Sequence, residues 1–264
     1  MIEQITPLII TLNEAPNIRR TLDKLVWAQR IVIVDSGSTD ETIALIRGYP
    51  QAQVIHRDFV DFADQCNFGI SLVTTPWVLS LDADYELSDE LVAELNSLSL
   101  SETIAGYRSR FSYRIHGRPL RGSLYPPRTV LYRTDKAQYR KEGHGHRVVV
   151  EGNVVDLNAP IFHDDRKPLA RWVESQRRYA QEEAQFLLTA DRRTLDIMDR
   201  MRLACWPAPI AAIFYTLFGK GVILDGWPGW YYALQRIFAE ILIALEIINR
   251  RLRDRTETTS RNHD

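Results

Sequence analysis

Cysteine is scarce in this 264-residue chain: Cys66 and Cys205 are its only two, and neither sits in a CxxC pair. Two isolated thiols cannot build a disulfide framework, and they point to a reducing compartment. An excess of charge is missing too. The balance of 33 Lys+Arg against 34 Asp+Glu, 33 − 34, leaves a formal net charge of −1, which argues against a nucleic-acid binder with its basic face. The opening MIEQITPLII has neither a basic n-region nor a cleavage site, so no signal peptide is expected. GxxxxGK(S/T), GxGxxG and GxSxG are all absent. Their absence excludes a P-loop NTPase, weakens a dinucleotide-dependent oxidoreductase and argues against an α/β-hydrolase. No internal repeat is visible.

What is present is the composition of a folded protein, 45% hydrophobic and 25% charged. The first hundred residues alternate short apolar runs with helical patterns. PLIITL (7–12), IVIV (31–34), Gln53 to Ile55 and WVLSL (77–81) read as strands. Between them, Ile18, Leu22, Leu25 and Val26 recur at helical spacing after Pro16. Ser38 and Glu41 have capping-box spacing ahead of Ile43 and Ile46, and Phe62, Cys66, Ile70 and Val73 mark a third helical face. Ser88 with Asp89 and Glu90 opens a fourth helix. The order βαβαβαβ predicts an open parallel sheet wrapped by helices. Residues 103–163 read as further strands and substrate-facing loops. Residues 168–190 read as an amphipathic helix with Leu169, Trp172, Val173, Tyr179, Ala180, Phe186 and Leu187 on one stripe.

An open parallel sheet binds its ligand beyond the carboxyl ends of its strands. Three polar clusters fall there: Thr11, Asn13 and Glu14; Asp35, Ser36 and Gly37; Asp82 and Asp84. Any one of them alone reads equally well as a turn or a cap. Alternate residues of an extended segment share a side, so two carboxylates spaced as Asp82 and Asp84 repel unless a cation relieves them. Hard oxygen ligands suit Mg²⁺ or Mn²⁺, which commonly completes its shell with phosphate oxygens. A metal–diphosphate complex is the natural guest.

The runs ITLNEAPNI, IVIVDSGSTDET and WVLSLDADYELSDEL together resemble the family 2 glycosyltransferases, in particular the branch related to lipopolysaccharide-core β-1,4-glucosyltransferases. The match covers roughly residues 5–165. The resemblance implies an α/β, GT-A fold: a Rossmann-like, mostly parallel sheet with flanking helices. It also implies a nucleotide-sugar donor, a divalent metal bound by an Asp-x-Asp (DXD) motif, and inversion at the anomeric carbon. Carried over by position, Leu12, Asn13 and Glu14 form the nucleotide-binding edge, Asp35 binds base or ribose, Asp82 faces ribose and metal, and Asp84 is the principal metal ligand. Asn67 falls where the family has an Arg-Asn element near the nucleotide, with Cys66 in place of the Arg. His163 is a candidate third metal ligand or phosphate contact, and a structural histidine reads equally well.

Inversion in one displacement needs a group to take the acceptor hydroxyl proton. Related enzymes carry a His-Glu pair ahead of a Val-rich strand; here Glu142-Gly143-His144-Gly145-His146-Arg147-Val148 stands there, which leaves His146 and Glu142 as candidate bases, with Asp164 and Asp165 behind them. Arg118, Arg121, Arg128, Arg133 and Arg147, interleaved with Tyr113, Tyr125 and Tyr132, suit a diphosphate or sugar-phosphate acceptor.

Residues 203–218 are apolar but span only about 24 Å as a helix, short of the roughly 30 Å hydrocarbon core. Pro207 and Pro209 break the start of that run. A second apolar helix is expected near 231–249, with Trp206, Trp227 and Trp230 favouring a membrane interface. The expected division is a catalytic domain (1–165), an amphipathic helix (166–200), an apolar helical hairpin lying in the cytoplasmic face of a membrane (201–249) and a polar tail (250–264). A homodimer interface is the alternative use of the hairpin. The sequence thus reads as a metal-dependent transferase moving a sugar to a glycan or lipid-linked acceptor of the cell envelope. A sugar nucleotidyltransferase and a membrane-docked adaptor without activity are the rivals.

Overall fold

The apolar runs near the N-terminus become β1 (Ile5–Thr11), β2 (Ile31–Asp35), β3 (Ala52–His56) and β4 (Trp77–Asp82), all parallel, in the order β3-β2-β1-β4. Every residue of β2 is buried, as expected for a strand covered on both faces. Successive residues of β1 alternate between two cores: Ile5 and Ile9 pack on one face of the sheet, Leu8 on the other. The connecting helices are α1 (Ile18–Asp23), α2 (Thr42–Ile46), α3 (Phe62–Ser71) and α4 (Asp89–Ser97). α1 and α4 bury Ile18, Leu22, Leu91 and Leu95 against the first core, and α3 buries Ala63 and Cys66 against the second. The computed structural model describes residues 2–98, 101, 103–122, 124–142 and 145–261, apart from the side chains of 141, 142, 145, 146 and 255–261.

Beyond residue 84 the strands are β5 (Tyr85–Leu87), β6 (Ile104–Ser109), β7 (Phe111–Ile115), β8 (Arg118–Pro119), β9 (Arg128–Arg133), β10 (Ala137–Glu142), β11 (Gly145–Val150), β12 (Asn153–Asp156) and β13 (Ile161–His163). β9 runs antiparallel beside β4 and extends the main sheet to β6 and β12. β10 and β11 form a hairpin. A small sheet of order β5-β13-β7-β8 stands apart, and its register sets His163 beside both Tyr85 and Tyr113.

Two local expectations are met differently. Ser88 does cap α4, accepting from the Leu91 N–H at 3.1 Å. Ser38 caps no helix: its hydroxyl donates to Asp35 (2.5 Å) and accepts from the Asn13 N–H (2.7 Å). The start of α2 is served instead by Asp40, whose Oδ1 accepts from the Thr42 N–H at 3.0 Å. A nearby carboxylate outcompeted the helix end for the serine.

The chain divides into two compact units, Met1–Pro119 with Leu124–Lys167, and Leu120–Ser123 with Pro168–Asp264. The second is helical: α5 (Leu169–Thr189), α6 (Ile197–Leu203), α7 (Pro207–Phe214) and α8 (Trp227–Arg261). On α5, Ala180 and Leu187 of the expected stripe are buried together with Glu183 and Ala184, whereas Leu169, Tyr179 and Phe186 are exposed. The apolar stretch from Leu203 is not one helix. α6 ends at Leu203, Cys205 adopts φ +68°, and Pro207 opens α7 at its first turn. The expected polar tail from residue 250 is a continuation of α8 to Arg261. Arg250 bonds Glu246 one turn back and the Gln181 carbonyl, and Arg251 bonds the Leu203 carbonyl, so charge here anchors helix. Among the described residues no helix is long and apolar enough to cross a membrane.

Gly229, in the first turn of α8, touches the Val222 backbone: a Cβ there would lie 1.7 Å from the Val222 carbonyl oxygen. A backbone atom cannot move aside by changing rotamer. Gly229→Ala is therefore expected to destabilise the helical unit by about 1–3 kcal/mol despite its better helix propensity, read by urea denaturation.

Candidate active site

The parallel register aligns the strand ends. Thr11 pairs with Asp35, Asp35 with His56, and Ile10 with Asp82, so the three polar clusters share one sheet edge. Asn13 stitches the first two together. It sits at φ +55°, and its side-chain oxygen accepts from the N–H groups of Thr39 (2.7 Å) and Asp40 (3.2 Å). Asn tolerates that left-handed conformation better than most residues. The Glu14 N–H donates to Thr42 Oγ1 at 2.7 Å, and Leu12 is exposed beside it. Asp35 is buried and accepts from the N–H groups of Gly37 and Ser38, both at 2.9 Å. Its carboxylate therefore shapes the turn that it begins.

Asp82 ends β4 half-buried, and Asp84 is buried in the turn to β5. α1 fixes this turn, because Thr21 Oγ1 donates to the Ala83 carbonyl at 2.8 Å. Asp84 Oδ2 faces His163 Nε2 at 3.4 Å and Lys167 Nζ at 3.5 Å, while Oδ1 has no partner. Lys167 Nζ also reaches Glu14 Oε1 at 2.9 Å and Asp165 Oδ1 at 3.2 Å. Burial opposes ionisation of Asp84, but His163 and Lys167 together hold its carboxyl well below the usual carboxylate range. Burial likewise opposes charge on His163, and Asp84 overcomes it and raises the imidazole. Glu14 goes the other way, pushed up to about 7 by burial against the pull of Lys167, with the charge of Asp84 adding to the rise.

Three tyrosines surround His163, with ring centroids at 5.3 Å (Tyr85), 4.8 Å (Tyr113) and 4.7 Å (Tyr125). The Tyr85 and Tyr125 hydroxyls are hydrogen-bonded to each other, and the Arg128 guanidinium lies 4.8 Å over the Tyr125 ring. Next in sequence to His163, Asp164 is almost wholly buried, and its Oδ2 accepts from Arg20, Arg166 and the Gly117 N–H.

A profile of Glycosyl transferase family 2 matches residues 7–147, more than half of the chain. The chain belongs to this family. A glycosyltransferase of Rickettsia felis is 26% identical over 255 residues, covering 91% of this chain and 88% of that one. The lipopolysaccharide core biosynthesis glycosyltransferase LpsC of Rhizobium meliloti is 35% identical over 162 residues, 55% of this chain and 57% of its own. Among solved structures, a mannosyltransferase from Pyrobaculum calidifontis in complex with GDP-Man and Mn²⁺ superposes with a TM-score of 0.54 at 15% identity, covering 93% and 87% of the two chains. The α/β, GT-A-like fold is thereby established, and the chain is a glycosyltransferase.

In this family 2 enzyme the remaining expected residues lie as follows. Asn67 faces protein backbone: its amide donates to the Tyr139 carbonyl (2.9 Å) and accepts from the Tyr139 N–H (2.8 Å), tying α3 to β10. Cys66 is a buried free thiol pushed far up by desolvation. The backbone of Glu142 and His146 lies in the β10–β11 hairpin, with Lys141 opposite His146 and Glu142 opposite Gly145. Their side chains, and all of Gly143 and His144, lie outside the described residues. No three His, Cys, Asp or Glu side chains among the described residues form a ready-made metal cage, so Asp82, Asp84 and His163 do not converge as a triad. The partnerless Asp84 Oδ1 still fits a hard cation that brings water and phosphate oxygens with it. Sequence reasoning missed Asn17, Arg20 and Lys167 as parts of this site. For Lys167 the signal was charge density in HDDRK (163–167), a run that contains neither Asn17 nor Arg20.

Glu14 gives a pH prediction. Its folded value of about 7 exceeds the ordinary 4.5, so the folded chain binds more protons than the unfolded one between these values. The associated stability is complete below 4.5 and is lost as pH rises through 7. Glu14→Gln, which mimics the protonated acid, is expected to gain in Tm relative to wild type as pH is raised from about 5 to about 8. A Tm difference constant across that range would mean Glu14 is ionised throughout.

Proposed function

We propose that this glycosyltransferase moves a sugar, with inversion, from a nucleoside-diphosphate donor to a glycan or lipid-linked acceptor of the cell envelope, with the help of Mg²⁺ or Mn²⁺. The observation that carries the reading is the Asp-x-Asp turn at the shared strand edge, with Asp84 ionised, buried and holding one oxygen without a partner. Leu12, Asn13, Glu14, Asp35 and Asp82 border the place for the nucleotide, and the Asn13 crosslink fixes the shape of that border. Asp84 would hold the metal through its partnerless Oδ1, and Asp82 and His163, which no preformed cage among the described residues gathers with it, would complete the protein's share of the ligands on binding. When bound, the metal neutralises the departing diphosphate. The GDP-Man and Mn²⁺ held by the Pyrobaculum calidifontis neighbour and the lipopolysaccharide-core name of LpsC support this donor and acceptor class.

The base that takes the acceptor proton is assigned to the β10–β11 hairpin, to Glu142 or His146. Asp164 is unsuited because its Oδ2 is committed to two arginines and a backbone N–H in a buried site. The test is a panel of nucleotide sugars with Mg²⁺ or Mn²⁺ and a glycolipid extract, scored for nucleoside-diphosphate release. Asp84→Ala is expected to lower turnover by about 10²–10³ or more with the fold retained. One of Glu142→Ala and His146→Ala is expected to lose about 10²–10⁴ in kcat with donor binding kept. Release of pyrophosphate instead would make the chain a nucleotidyltransferase, and activity in excess EDTA would end the metal role.

Residues 1–165 are read as the catalytic domain and 201–249 as a segment that rests on the cytoplasmic membrane face. Support comes from the aromatic side chains that α7 and its surroundings leave in water: Trp206 at 72% exposure, Phe214 at 60% and Phe218 at 61%. Wild type is expected to float with anionic lipid vesicles and resist a salt wash, while a Trp206→Ser/Phe214→Ser/Phe218→Ser variant stays in the dense fraction. A detergent-free dimer that ignores vesicles would make this face a subunit interface.

A further inference from the structure

Lys167 joins two of the three polar clusters of the site edge to the segment that follows β13. Its ammonium is held by carboxylates from three separate segments: Glu14 after β1 (2.9 Å), Asp84 in the β4–β5 turn (3.5 Å) and Asp165 beside it in sequence (3.2 Å). The cage is rigid. Asn17 Nδ2 donates to both Glu14 and Asp165 at 3.0 Å, and the Lys167 N–H itself donates to Asp165 at 3.0 Å. The lysine side chain is only 16% exposed, so bulk water screens it poorly. Asp84 is thus shared: Oδ2 faces the ammonium, and Oδ1 remains without a partner.

We propose that Lys167 is the resident counter-cation of the donor site, occupying the Glu14, Asp84 and Asp165 carboxylates when no metal is bound and opposing the entry of a divalent cation at Asp84 until a diphosphate arrives. The inference rests on the reading of Asp84 as the metal ligand. Two like charges on one carboxylate repel, and a neighbouring charge at this range shifts an ionic equilibrium by about 10- to 1000-fold. A diphosphate adds negative charge that both cations can share. Metal and nucleotide are then coupled through Lys167, each tightening the other. The lysine accordingly serves as a positioning and ordering residue.

The test uses full-length protein and Mn²⁺ alone, with free Mn²⁺ read by electron paramagnetic resonance and folding read by Tm. Wild type is expected to bind Mn²⁺ weakly, and Lys167→Met to bind it at least about tenfold more tightly while losing Tm in EDTA. Lys167→Arg, which keeps the charge, is expected to stay near wild type. A merely structural lysine gives the opposite sign, because damage to the cage loosens metal. If Lys167→Met does not fold, Lys167→Gln keeps a hydrogen-bonding group without the charge and must show the same tightening. Unchanged or weaker Mn²⁺ binding in the neutral variants overturns the proposal, while Mn²⁺ binding that Asp84→Ala removes leaves the metal reading standing. Absence of Mn²⁺ binding in all variants, with or without UDP or GDP, overturns both.

Discussion

Carboxylates drawn out of water at one sheet edge have to be compensated where they sit, and the arrangement of the sheet-bearing unit around that edge depends on this constraint. Asp164, almost fully buried, is answered by Arg20 and Arg166, and Asp84 by His163 and Lys167. The partners come from α1, from the end of β13 and from the segment that follows it. Removing one member of such a buried pair leaves an uncompensated charge and typically costs about 3–5 kcal/mol. The ion pairs therefore do more than stabilise: they hold the Asp-x-Asp turn, the loop after β1 and the segment 163–167 in one register. The small β5-β13-β7-β8 sheet supplies the backbone hydrogen-bonded part of the same arrangement by carrying His163 to Tyr85 and Tyr113.

The sequence showed the half of this that depends on local pattern. Strands buried on both faces are continuous apolar runs, so β1, β2 and β4 were visible, and their polar ends had to meet once the sheet was parallel. Ser88 announced α4 correctly, and its hydroxyl accepts from the Leu91 N–H. Ser38 failed as a cap because Asp35 and Asn13 claimed it, a contest that sequence spacing cannot show. Lys167 and Arg20 were hidden for a related reason. Their partners lie across the fold, Asp84 for one and Asp164 for the other, and only the pairing of β13 with β5 and β7 brings those segments together. Asn67 illustrates the converse: family position suggested a nucleotide contact, and the structure gives its amide to the backbone of β10.

The two aspartates of the Asp-x-Asp pair end in different surroundings, and the difference suits a division of labour. Asp82 finishes a strand and stays half-open to solvent, whereas Asp84 is buried yet kept ionised by the cations beside it. With Asp84 fixed as an anion, the adjacent Glu14 becomes the acid that yields, its pKa raised toward neutrality by burial and by Asp84 itself. One lysine among three carboxylates cannot satisfy all of them equally. Asp84 Oδ1 is left without a partner, which suits a hard cation accompanied by phosphate.

The helical unit meets the same constraint with its pattern inverted. Arg202 on α6 bonds Glu240 on α8 through two nitrogens, at 3.0 and 2.7 Å, and Glu183 on α5 through a third, at 2.8 Å. Both glutamates are buried, at 4% and 6% exposure. Charge thus joins three helices from the inside, while Trp206, Ile210, Phe214, Phe218, Leu234 and Leu245 are left outside. In water that assignment is costly on both counts, since buried ions lose solvation and exposed aromatics gain nothing. It becomes favourable where a surface covers the aromatics. The break at Cys205, with its positive φ, separates α6 from α7. α6 carries the arginine that joins the three helices, and α7 carries the exposed Ile210 and Phe214.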